Sequence, residues 1–136
     1  MRVSLRTAAL LAALILSPLA AHAAPAQSLA GDWRNAKNTV HIRAYPCGDA
    51  VCGTVIWASP SAEAKARDKG ADKLAGTQIF REFRPTGDGG YTGKLFVPTV
   101  GRTFSGRLKI TPDDKLVGKG CVIGGLFCKS TTWVRL

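Results

Sequence analysis

From Leu29 onward, apolar and polar residues alternate in short runs separated by turn-forming clusters. Residues 39–45 place Val40, Ile42 and Ala44 on one face and His41, Arg43 and Tyr45 on the other. Phe104, Leu108 and Ile110 oppose Thr103, Ser105, Arg107 and Lys109 in the same way, the clearest period of two in the chain. Such alternation predicts strands with one buried face. Further strands are predicted at 29–33, 51–57 (Val51, Val55 and Trp57 sharing a face), 77–84, 91–97, 116–123 and 126–135. In 77–84, Ile79 and Phe83 share a face and Phe80 breaks it, an irregularity that a β-bulge would explain. Turns are marked at 35–38, Pro85 to Gly90, Thr111 to Asp114 and Gly124-Gly125. Residues 59–74 differ in kind. They are rich in Ala, Lys, Glu and Asp and hold no β-branched residue, which predicts a short helix or lid with Ser59 or Ser61 as its N-cap and Gly70 opposing its continuation.

Eight short strands with Gly53, Gly93, Gly106, Gly118 and Gly120 in their interiors predict an all-β protein: an eight-stranded antiparallel up-and-down barrel with one short helix or lid between strands 3 and 4. A barrel of that size either fills itself with its own side chains or holds one small ligand.

The N-terminus follows another pattern. Arg2 and Arg6 precede an apolar stretch from Thr7 to Leu16, Pro18 breaks it, and Ala21-His22-Ala23 supplies small residues at −3 and −1. This predicts a cleavable signal peptide over 1–23, cut after Ala23, followed by one barrel domain over 24–136. The apolar stretch is shorter than the roughly 20 residues of a membrane-spanning helix. Export to the periplasm then gives the four cysteines a meaning, since an even number in a small exported domain reads as disulfides. Four cysteines allow three pairings. The local pairs Cys47–Cys52 and Cys121–Cys128 are favoured because each flanks a turn, and counting outward from Gly124-Gly125 puts Cys121 opposite Cys128. Zinc is disfavoured by the C-x4-C and C-x6-C spacings.

The formal net charge of +10 leaves the chain strongly basic even without Arg2 and Arg6. The cations are scattered, and nucleic acid is the partner least available to an exported protein. His41 is the one histidine beyond the leader, which excludes a multi-histidine metal site. No Gly-x-Ser-x-Gly elbow, phosphate-binding glycine loop or cofactor motif is present. These observations favour a monomeric, non-enzymatic periplasmic protein without a cofactor, binding a small apolar or amphiphilic molecule with 59–74 as a lid. Trp33, Trp57, Tyr91 and Phe104 are the candidate cavity-lining residues. The competing reading is an envelope protein whose basic exterior binds anionic lipid, polysaccharide or a protein.

Motifs at both ends of the barrel carry a resemblance. Gly31-Asp32-Trp33 on the first strand and Trp133-Val134-Arg135 on the last resemble the lipocalin and calycin arrangement. That likeness implies a structural lock of Trp33, Trp133 and Arg135. Between these ends stand Cys47-Gly48-x-x-Val51-Cys52-Gly53-x-Val55-Ile56-Trp57, Tyr91-x-Gly93-Lys94-Leu95-x-Val97-Pro98 and Gly101-x-Thr103-Phe104-Ser105-Gly106. The whole series resembles the bacterial domain-of-unknown-function family 2147, with Ala71-Asp72-Lys73 replacing that family's Asn-Pro-Asp-like stretch. The resemblance implies a small secreted, lipocalin-like barrel without an assigned reaction.

Overall fold

The computed structural model describes residues 28–122 and 126–136. The predicted signal peptide and the Gly124-Gly125 turn lie outside the described residues. The strands are β1 Gly31–Asn35, β2 Val40–Cys47, β3 Ala50–Ala58, β4 Gln78–Pro85, β5 Gly90–Val97, β6 Arg102–Ile110, β7 Lys115–Val122 and β8 Phe127–Arg135, with helix α1 Pro60–Asp68 between β3 and β4. Every strand pairs antiparallel with the next, and β8 returns to β1, closing the barrel. The closing register is Trp33 with Arg135 and Asn35 with Trp133.

The side-chain period of two survives only where register is unbroken, and bulges reset it, with consequences for the core on β3 and β4. On β3 the register slips between His41 and Ile42 of its partner, leaving Ile56 without an opposite residue. Val55 stays in the core while Trp57 is turned to the outside, 42% exposed, its ring 4.6 Å from His41. The expectation that Val51, Val55 and Trp57 share a face is corrected by that one extra residue. On β4 the predicted irregularity is present: three steps from Arg81 to Arg84 match two on β5, and Glu82 adopts a positive φ of 50°. Phe80 and Phe83 therefore both face the core, 2% and 0% exposed, with their rings edge-to-face at 5.6 Å. Glycines receive them. A Cβ at Gly53 would stand 2.6 Å from Phe80 Cδ2, and one at Gly93 would stand 2.8 Å from Phe83 Cγ.

Both disulfides, Cys47–Cys52 and Cys121–Cys128, are formed as the local pairs. Helix α1 starts where Ser59 accepts the Ala62 N–H, with Pro60 at its first position. It stops before Gly70, whose φ of 84° suits a residue without a Cβ. Ala66, fully buried, is its contact with the core. The Glu63 carboxylate accepts the N–H groups of Leu74 and Ala75 at 2.9 and 3.0 Å, folding the segment after the helix back over one end of the barrel.

Candidate ligand-binding site

The two ends of the barrel are built differently. One end gathers residues 28–30, the β6–β7 turn and the C-terminus of β8. Trp33 is fully buried there and donates its indole N–H to the Leu29 carbonyl at 3.0 Å. The Arg135 guanidinium lies 4.0 Å from the Trp33 ring centroid. It also donates from Nε and Nη2 to both Asp114 oxygens, and from Nη1 and Nη2 to the carbonyls of Ala30 and Ser28. Gly31 makes room for this stack: its φ is 138°, and a Cβ there would stand 2.6 Å from Arg135 Nη1. A cation on an indole face that also serves a carboxylate and two carbonyls is a plug, with all three guanidinium nitrogens donating.

The other end carries α1, the β5–β6 turn and Leu126, just before β8. Behind it a cavity of about 820 Å³ runs into the barrel. Its wall includes Val55, Leu74, Ile79, Phe80, Leu95, Phe104, Leu108 and Trp133. Gly118 and Gly120 of β7 form part of the wall without adding side chains to it. Around the rim, Val100, Leu126 and Phe127 are 57%, 78% and 65% exposed, an apolar lip facing solvent.

Polar groups inside are few. From β8 the lining takes Phe127, Cys128 and Lys129 at the exposed rim and Thr131 and Trp133 deeper in. Trp133 Nε1 donates to Thr131 Oγ1 at 3.1 Å, which satisfies the buried indole. Lys129 is the single charged residue in the cavity wall. Among the described residues it takes part in none of the four ion pairs, which join Arg43 to Asp32, Arg84 to Asp49, Lys115 to Asp113 and Arg135 to Asp114.

Of the four candidate cavity residues, Phe104 lines the cavity. Trp33 sits in the plug at the far end, Trp57 lies outside the barrel because of the Ile56 bulge, and Tyr91, half-buried beside the core, is outside the lining. Trp33 and Arg135 form the lock, whereas Trp133 contributes to the cavity wall and meets Phe80 edge-on at 6.4 Å. Sequence reading missed Gly118, Gly120, Lys129 and the rim. Counting back in twos from Trp133 along β8 would have placed Thr131 and Lys129 on the inner face.

A second feature lies on the outer wall of β4 to β7. Arg81, Arg84, Lys94, Arg107 and Lys119 border a shallow groove. Arg107 stands directly opposite Lys119 across the β6–β7 pair. Arg81 is placed 4.5 Å from the Phe96 ring centroid, and Lys94 donates to Ser105. No group of three or more His, Cys, Asp or Glu suited to a metal occurs among the described residues, and no helix among them is long and apolar enough to cross a membrane.

A search of solved structures matches the Helicobacter pylori protein HP1028, described as belonging to the lipocalin family. The TM-score is 0.61 at 16% identity, covering 80% of this chain and 83% of that one, a likeness of fold. No curated protein matches. The family described as "Uncharacterized protein conserved in bacteria (DUF2147)" matches residues 31–135, so with its lipocalin-like barrel the chain belongs to that family.

Proposed function

We propose that this protein is a non-enzymatic carrier of a small apolar or amphiphilic molecule, working in the periplasm after removal of residues 1–23. The observation that carries the reading is the cavity of about 820 Å³, apolar along most of its wall and open at one end. Sites for small ligands have that character: hundreds of cubic ångströms, mostly apolar, with a few placed polar groups. The paired cysteines support a compartment in which disulfides persist. The test is native mass spectrometry on protein purified from the periplasm, with organic extraction of any adduct. A bound molecule is expected, and it should be lost in Gly120→Leu. That variant fills the cavity from a wall position where a Cβ would make only an ordinary contact, 3.5 Å from Leu95. Retention of the molecule by a folded Gly120→Leu protein would place its site elsewhere.

The outer groove favours a second reading, an exterior that binds anionic lipid or polysaccharide. Like charges directly opposite one another, as Arg107 and Lys119 are, destabilise a strand pair unless an anion lies between them. Charge reversal at both positions should then abolish a salt-sensitive association with anionic vesicles while leaving cavity binding unchanged.

A further inference from the structure

Resting on the cavity reading, we propose that the ligand is a single-chain amphiphile with one anionic head, whose charge is held by Lys129 while its chain lies along the apolar wall. The composition of the lining favours an anion. Its side chains are apolar or small except for Thr99, Thr131 and Lys129, and it contains no carboxylate. A neutral apolar ligand has no use for an ammonium on that wall, and a cationic one would be repelled by it. An anion gains a charge-assisted hydrogen bond there.

Position supports the same assignment. Lys129 follows the exposed rim residues Leu126 and Phe127 on β8, so its ammonium stands near the entrance, where a charged head keeps contact with water. One strand step deeper, about 7 Å by strand rise, is Thr131. Its Oγ1 already accepts the Trp133 indole N–H, which leaves its own hydrogen as a donor toward the cavity. Beyond Thr131 the wall is Trp133, Phe80, Leu108 and Val55, surface for a hydrocarbon chain. Lys129 is exposed, so its grip on the head is moderate and weakens with salt.

Isothermal titration calorimetry on the full mature protein distinguishes the possibilities with three probes of equal chain length: tetradecanoate, tetradecanol and tetradecyltrimethylammonium. Tetradecanoate should bind severalfold more tightly than the alcohol, the range of a solvent-exposed ion pair, with the trimethylammonium weakest. Lys129→Gln should remove the preference for the acid, read as the ratio of acid to alcohol affinity within each protein, and Lys129→Glu should invert the order of the charged probes. Equal binding of acid and alcohol, or a preference unaltered in Lys129→Gln, overturns the head-group assignment while leaving the carrier reading standing. Failure of all three probes to bind overturns both. Because Lys129 is exposed and outside the core, both variants should retain the wild-type melting temperature, which is the check that they fold.

Discussion

Replacing Arg135 by Lys keeps the charge and removes the geometry. The guanidinium serves the Trp33 face, both Asp114 oxygens and two carbonyls at once, and a point-charge ammonium reaches only some of them. The expected loss is about 1–2 kcal/mol, measured by urea denaturation. Gly53→Ala tests a different contact. Its Cβ would press on the Phe80 ring at 2.6 Å, and such overpacking costs about 1–3 kcal/mol. Gly120→Ala is the control, with its nearest contact at 3.5 Å and an expected change within about 0.5 kcal/mol. Two strand glycines thus differ sharply although the sequence presents them alike. Their meaning depends on which aromatic ring the barrel lays across them, and pairing partners far along the chain decide that. Trp33 and Arg135 were legible as a pair through the resemblance of their motifs to the two ends of a lipocalin or calycin barrel. Lys129 carries no mark of its own in the run Cys128, Lys129, Ser130 and Thr131, and only its even spacing from Trp133 signals the inner face.

At the level of elements, the strand count, their order and the single helix were all readable from alternation and turn residues. The β4 irregularity was readable too, since Phe80 broke a visible pattern. The β3 bulge was not: residues 51–57 read as an uninterrupted strand, and only the pairing of Ile42 with Val55 and His41 with Trp57 reveals the added residue. Local sequence records a strand's propensity, whereas register is fixed between strands. The α1 segment carries its own prediction. Glu63 is held below the usual carboxylate range chiefly by the Leu74 N–H, then by that of Ala75. Glu63→Gln gives up charge-assisted acceptance of two backbone donors. Hydrogen exchange at the Leu74 and Ala75 amides should accelerate several-fold, with little change in the strands.

For the whole molecule, acid and reduction are the informative stresses. Asp32 beside Arg43, Asp49 beside Arg84, Glu63 on its two amides and Asp88 beside Thr86 are all lowered, and Asp113 beside Lys115 is lowered to about 2. A carboxylate with a depressed folded value contributes stability that is complete above its unfolded value and disappears as pH falls through the folded one. The melting temperature should therefore be flat from about pH 8 to 5, decline below about pH 4, and continue to fall toward pH 2. Reduction acts at any pH. Each disulfide closes a loop of only a few residues, for which chain-entropy arguments give about 2 kcal/mol, so reducing both should lower the melting temperature clearly. Under the proposed carrier function, the plugged Trp33–Arg135 end has a kinetic consequence as well. A vessel with one doorway must empty before it refills, because a newcomer has no rear exit through which to drive out the occupant. In stopped-flow exchange, discharge of a labelled amphiphile should be first order, at a rate that stays constant as the concentration of unlabelled competitor rises.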